Sequence, residues 1–146
     1  MLGDATVAAH PLHRVLFVDD DEVVQHLVQL ALERLGGLTV ELVNDGAKAI
    51  EAGLRFRPDM IVLDWFMPEM DGTELFNRLR AVPELAAVPV VFLTVKAHWR
   101  TRDELLELGA AGVITKPFSA RDLADQLKAI WASLPGADKP ADQKRY

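Results

Sequence analysis

The sequence predicts an α/β domain of five parallel strands in one doubly wound sheet with helices on both faces. Two observations carry that expectation. Short apolar runs rich in β-branched residues alternate five times with helical patterns, an order that implies right-handed crossovers and parallel pairing. Most of the runs are also continuous rather than alternating, as in strands covered on both sides. A third observation concerns chemistry: several of these runs end on acids, a hydroxyl or an ammonium.

The first run, VLFV at 15–18, leads through Asp19-Asp20-Asp21 into DEVVQHLVQLALERLGG. That helix places Val23, Leu27, Leu30, Ala31 and Leu35 along one stripe and stops at Gly36-Gly37. TVELV at 39–43 alternates, the pattern of an edge strand. The helix after it, DGAKAIEAGLRF, offers Ala47, Ile50 and Leu54 to the core. MIVL at 60–63 precedes DGTELFNRLRAV, whose Leu75, Phe76 and Leu79 share a face before Pro83. VPVVFLT at 88–94 precedes TRDELLELGAAG, with Leu105 and Leu108 inward and Gly109 at its end. AGVIT at 111–115 is followed by SARDLADQLKAIWASLPG. There Ser119 and Asp122 come close to a capping box ahead of Leu123, Leu127, Ile130 and Trp131.

The 146 residues fit one domain spanning 14–134, with 1–13 and 135–146 as flexible ends and no second domain after the fifth helix. Chemistry narrows the function. The absence of cysteine removes disulfides and thiolate metal sites. A net charge of −6 without a basic stripe argues against direct nucleic-acid binding. No run approaches the roughly 20 apolar residues of a membrane span, and the start lacks the pattern of a signal peptide. A cytoplasmic protein is expected.

Ligands of open α/β sheets bind outside the carboxyl ends of the strands. Asp19 and Asp20 follow the first strand, Asp64 the third, Thr94 ends the fourth, and Thr115-Lys116-Pro117 end the fifth. The second strand offers only the turn Asn44-Asp45-Gly46. Taken singly, these residues have ordinary uses: Asp21 caps the first helix, Asp64 forms a turn, and Lys116 is a solvated charge. Gathered at one rim, the carboxylates repel unless a cation separates them, and oxygen-only ligation selects a hard ion, Mg²⁺ first. Lys116 is then the partner of a bound anion, and Thr94 a donor to it. That set can take a phosphoryl group, with a carboxylate as nucleophile. By contrast His10, His13, His26 and His98 have no metal-ligand spacing, and Met67 and Met70 are read as packing residues.

Four segments in order, VLFVDDDE, IVLDWFMPEMDG, VFLT and ITKPF, strongly resemble the receiver domain of two-component response regulators. The resemblance covers residues 14 to about 133, and the spacing of Asp20, Asp64, Thr94 and Lys116 is that of the chemotaxis-type single-domain members. It implies a flavodoxin-like fold with strand order 2-1-3-4-5. It implies Asp64 as phosphoacceptor, Asp20 as a direct Mg²⁺ ligand, Asp19 as a ligand through water or an orienting acid, and the Phe66 carbonyl as a further ligand. Thr94 would be the switch hydroxyl and Lys116 the bridge to the phosphoryl oxygens, with a cis bond between Lys116 and Pro117.

It also implies a histidine kinase or histidine phosphotransfer protein as donor and a downstream protein as target. A partner surface of the fourth helix, fifth strand and fifth helix, including Trp99, would serve that target or a homodimer. Three departures stand out. Val113 replaces the aromatic residue often coupled to the switch hydroxyl, Val95 follows Thr94 where a smaller residue is usual, and Phe66 and Lys96 occupy the two places that tune water attack. An apolar Phe66 positions no water, so a longer-lived phosphorylated state is expected than in fast chemotaxis members, and hydrolysis within seconds would refute it. Two other readings compete. One is a receiver-like interaction module that is never phosphorylated. The other is a Mg²⁺-dependent phosphohydrolase, for which Phe66 stands where a second acid is needed and no residues remain for a cap domain.

Overall fold

The structure, a computed structural model, describes residues 10–67, 70–95 and 99–135. Lys96 and His98, the segments 1–9 and 136–146, and the side chain of Trp99 lie outside the described residues. Five strands, β1 (Arg14–Val18), β2 (Thr39–Val43), β3 (Met60–Asp64), β4 (Val90–Val95) and β5 (Gly112–Lys116), pair in parallel in the order β2-β1-β3-β4-β5. The alternating TVELV stretch is an edge strand, pairing among the described residues with β1 alone. Four helices fill the crossovers, α1 (Glu22–Gln29), α2 (Gly46–Phe56), α3 (Gly72–Arg80) and α4 (Trp99–Leu108), and α5 (Ala120–Ala132) follows the last strand.

Successive strand residues point to opposite faces, and the sheet therefore divides two cores. Val15, Phe17, Met60, Val62, Val91 and Leu93 face α1 and α5, where Val28, Leu32, Leu123, Leu127 and Trp131 close the layer. Leu16, Val18, Ile61, Leu63, Val90 and Phe92 face the other helices, meeting Ala49, Leu75, Phe76, Leu79 and Leu105. Both faces of β1, β3 and β4 are thus buried, which is why their sequences run apolar without alternation.

Two helices turn a different face inward from the one their large apolar residues suggest. In α1 the inward residues are Val24, Gln25, Val28, Ala31 and Leu32, while Val23, Leu27, Leu30 and Leu35 are exposed. The second half of this helix, Leu30–Leu35, is a π-helical turn. Its wider winding, roughly 80° per residue instead of 100°, carries Leu35 out of the stripe and brings Gly36 onto α5. A Cβ on Gly36 would stand 2.4 Å from the Ala124 Cβ, so a glycine is required there. In α2 the buried residues are Gly46, Ala49, Ala52 and Gly53, with Ala47 and Leu54 exposed and Ile50 half-buried. Small residues let α2 lie close to the sheet, and Leu85 from the α3–β4 connection fills the space beside Gly53. Smaller differences occur at α4, where Leu105 is buried but Leu108 exposed, and at α5, where Ser119 occupies the cap position without a side-chain hydrogen bond.

The base of the sheet is fastened from the N-terminal side. His10 and His13, assigned by the sequence reading to the flexible start, are seated there. The Trp131 indole donates to the His10 carbonyl at 2.8 Å, Leu12 is buried, and the Asp59 carboxylate accepts from the amides of His13 at 3.1 Å and Arg14 at 2.8 Å. Nearby, Arg57 caps α2 with φ at 55°, a left-handed conformation that costs any residue but glycine about 1 kcal/mol. Arg57→Gly is expected to raise stability by about 0.5 kcal/mol after the added freedom of the unfolded chain is counted. Urea denaturation checks it, and a lower midpoint would contradict it.

Candidate functional site

The rim formed by the carboxyl ends of β1, β3, β4 and β5 collects the polar residues. Each is held by the ladder that precedes it. Asp64 is the last residue of β3, paired with Leu93, and the Trp65 amide continues the ladder by donating to the Leu93 carbonyl at 2.9 Å. Thr94 is the penultimate residue of β4 and Lys116 the last of β5, with Thr94 paired to Thr115 and Lys116 to Val95. Asp19 follows β1 directly, and its amide donates to the Val43 carbonyl at 3.0 Å. The Lys116-Pro117 bond is cis. Asp21 caps α1 by accepting from the amides of Val23 and Val24, which separates its task from that of its two neighbours.

The strand ends bring Asp19, Asp20, Asp64 and Lys116 together. One carboxylate oxygen each from Asp19, Asp20 and Asp64 lie within 4.8 Å of one another. Asp19 and Asp64 are buried, whereas Asp20 is exposed. The Lys116 ammonium donates to Asp64 Oδ1 at 2.9 Å and stands 3.7 Å from Asp19 Oδ2. Asp64, Trp65, Phe66, Thr94, Val95 and Lys116 line a recess of about 170 Å³. Larger hollows of about 360 and 380 Å³ lie at the base and beside β2. Among the described residues, however, the acid cluster able to hold a cation meets the smaller recess at Asp64, the acid the two share.

The electrostatics of this rim are those of too many acids for one ammonium. Burial pushes the Asp19 carboxyl up to about 6, against the hydrogen bond from the Asp21 amide, and the charge of Asp64 adds to the rise. Burial also raises Asp64, opposed by the hydrogen bond and charge of Lys116 and by the Phe66 amide. Asp19 Oδ2 and the Thr94 hydroxyl are buried without a hydrogen-bond partner among the described residues. Buried polar groups seldom stay unsatisfied. Three converging carboxylates and two oxygens without a hydrogen bond at one place fit a hard divalent cation and a bound oxyanion, the chemistry that oxygen donors select.

Two supporting residues escaped the sequence reading. Gln25, nearly fully buried in α1, donates from Nε2 to the Asp19 carbonyl at 2.8 Å and so ties the helix to the acid-bearing turn. The signal was a polar residue at an inward position of α1, visible only once the inward face is known. Gly72 closes the loop after Asp64: its amide donates to the Trp65 carbonyl at 2.8 Å. A Cβ there would meet Phe92 at 2.8 Å, Trp65 Cα at 3.0 Å and the Asp64 carbonyl at 3.2 Å. Asp71, beside it, caps α3 through the Glu74 amide. Of the residues singled out for departing from the family pattern, Phe66 is 67% exposed at the mouth of the recess, Val95 43%, and Val113 is buried with its carbonyl accepting from Arg102 at 3.2 Å. The described histidines stay away from these acids: the His26 ring donates to the Glu22 carbonyl within α1. Met67 is buried and Met70 packs against the core, as read from the sequence.

Comparison with known proteins bears on this geometry. The family model described as the response regulator receiver domain matches residues 15–128. The chain is 37% identical over 117 residues to the response regulator MprA of Mycobacterium leprae, an alignment covering 80% of this chain and 50% of that protein. It is 36% identical over 116 residues to the phosphate regulon transcriptional regulatory protein PhoB of Pseudomonas aeruginosa, again 80% of this chain and 50% of the relative. The chain thus spans about half the length of these curated relatives. Among solved structures, the chemotaxis response regulator CheY4 of Vibrio cholerae matches with a TM-score of 0.73 at 29% identity, over 82% of this chain and 98% of that one. No helix among the described residues is long and apolar enough to cross a membrane.

Proposed function

The chain belongs to the response regulator receiver domain family, and from that premise we propose that it is a phosphorylation-activated switch of a two-component system. Members of this family are signalling regulators rather than enzymes, and the chemistry here is done by the protein on itself. The observation that carries the reading is the Asp64 carboxylate, buried at a strand end, bonded to Lys116 at 2.9 Å and flanked by Asp19 and Asp20. Its phosphoryl donor is the phosphohistidine of a histidine kinase or of a histidine phosphotransfer protein.

Asp64 attacks the phosphorus, and an aspartyl phosphate forms as the bond from phosphorus to the leaving nitrogen breaks. Mg²⁺ would be held by Asp20, Asp64 and the Phe66 carbonyl, with Asp19 a ligand through water or an orienting acid, and would supply neutralisation of the charge that gathers on the phosphoryl oxygens. Lys116 turns from Asp64 to those oxygens, and the Thr94 hydroxyl gains in them the acceptor it otherwise lacks among the described residues. New contacts to Thr94 and Lys116 at the ends of β4 and β5 bias the packing of α4, β5 and α5 against one another, a population shift that alters the surface offered to a downstream protein or to a second copy. Val113 has no ring to swing inward, so the shift runs through Thr94, Lys116 and the strand ends themselves. The apolar Phe66 beside the acid favours a long-lived phosphorylated state.

Val113 also lends weight to a second reading, a receiver-like module that binds partners without phosphorylation. Intact-mass measurement after incubation with acetyl phosphate and Mg²⁺ separates the two. The wild-type chain is expected to gain one phosphoryl group and Asp64→Asn none; an unchanged wild-type mass under these conditions would favour the second reading.

A further inference from the structure

α1 turns Val24, Val28, Ala31 and Leu32 inward, and among these apolar residues stands one amide, Gln25, at 8% exposure. Burying an amide is unfavourable unless its groups find partners, so the partners show what the residue is kept for. Gln25 Nε2 donates to the Asp19 carbonyl at 2.8 Å, and the Gln25 backbone amide donates to the Asp21 carbonyl at 3.0 Å. One residue thereby grips both ends of the turn that carries the first acids. Asp19 has further anchors: its amide donates to the Val43 carbonyl at 3.0 Å, and its carboxylate accepts from the Asp21 amide at 2.9 Å.

Asp20 depends on the backbone for its aim. Its carboxylate is exposed, and its direction follows from the peptide planes on either side of its Cα. The Asp19 carbonyl belongs to the plane that precedes it, which is free to turn about the single bonds at its two ends unless its oxygen is held. Turning that plane would swing Asp20 away from Asp19 and Asp64, whose carboxylate oxygens lie with its own within 4.8 Å. Resting on the Mg²⁺ site read above, we propose that Gln25 is a positioning residue for the cation: by holding the Asp19 carbonyl it keeps Asp20 aimed at the place where the acids converge. Gln25 lines the hollow beside β2 rather than the recess at Asp64, and so acts through the backbone. The benefit is preorganisation, since a ligand already in place loses less freedom when the ion binds. A role in stability alone would leave the affinity for the ion unchanged.

The test sets the Kd for Mg²⁺, read by calorimetric titration of the full chain where each variant is folded by circular dichroism, beside urea denaturation in chelator. Gln25→Met keeps the length of the side chain and removes the donor. Its Kd is expected to rise about fivefold, the effect of one neutral hydrogen bond. Gln25→Asn, whose amide stops one methylene short of the carbonyl, is expected to match it. Val28→Ala opens space in the same helix among core residues away from the turn. It is expected to lower the urea midpoint while keeping Kd within about twofold of wild type. A Kd within about twofold of wild type in either Gln25 variant would overturn the assignment. So would an equal weakening in Val28→Ala, because affinity would then follow general stability. No binding by wild type would sink the cation site itself; binding that ignores Gln25 would sink only its positioning role.

Discussion

Asp19→Asn is expected to stabilise the metal-free protein by about 3 kcal/mol at pH 7, the free energy of lifting a carboxyl from 3.8 to about 6. The sign follows from linkage. The native Asp19 holds its proton to higher pH than the unfolded one, so the native state binds more protons between these two values. Stability accordingly falls as pH rises from 3.8 to about 6, and above that the cost is fully present. An amide has no such charge. The carboxamide oxygen of the substituted side chain can keep accepting from the Asp21 amide, and its NH₂ would face Asp64 where two carboxylates now repel. Urea denaturation with a chelator present reads the effect: the variant should gain at pH 7, and its stability should lose the component that declines through this window. A variant no more stable than wild type at pH 7 would show that the buried acid is not under strain. The gain is expected to come at the expense of function, since Asp19 is one of the three acids proposed to hold the cation.

Lys116→Met is expected to act in the opposite direction. Its ammonium is the counter-charge of both buried acids, at 2.9 Å from Asp64 and 3.7 Å from Asp19. Removing one partner of a buried pair leaves an uncompensated charge and costs about 3 kcal/mol, the lower end of the usual range because Lys116 is partly exposed. The loss should be largest near pH 8 and smaller near pH 5, where the acids can take up protons instead of standing charged. Mg²⁺ should recover part of it by supplying positive charge at the same place, although not the contact to a phosphoryl group. A loss that is equal at both pH values and blind to Mg²⁺ would mean that Lys116 contributes packing rather than charge.

These two effects share a cause that the sequence displays openly. A strand ends where its apolar run ends, so Asp64, Thr94 and Lys116 could be placed at one rim from their positions alone, and parallel order puts all carboxyl ends together. The helix faces were harder to read. Periodicity weighted by large apolar residues chose Val23, Leu27 and Leu30 for α1 and Ala47 and Leu54 for α2, yet these are exposed. The inward face of α2 is instead made of Gly46, Ala49, Ala52 and Gly53, whose small size is the reason they pack and the reason they went unnoticed. The π-helical turn at Leu30–Leu35 ends at Gly36, which lies against Ala124 of α5, and hydrophobic spacing carries no mark of it. Gln25 and Gly72 escaped for a related reason: their importance lies in contacts to Asp19 and to the loop after Asp64, which exist only once the chain is folded. The base cluster of His10, Asp59 and Trp131 likewise joins residues far apart in the chain.

Central to the account is a single divalent cation held by Asp19, Asp20 and Asp64. Calorimetric titration of Mg²⁺ into wild type and Asp20→Asn tests it most directly, because Asp20 is exposed and its loss leaves the core untouched. Wild type should bind at one saturable site, more tightly above pH 6 than below it as Asp19 gives up its proton, and should gain about 2.7 kcal/mol of stability at a hundredfold excess over Kd. Asp20→Asn should lose that binding. Equal Mg²⁺ affinity in the two proteins, or no binding by wild type, would contradict the account.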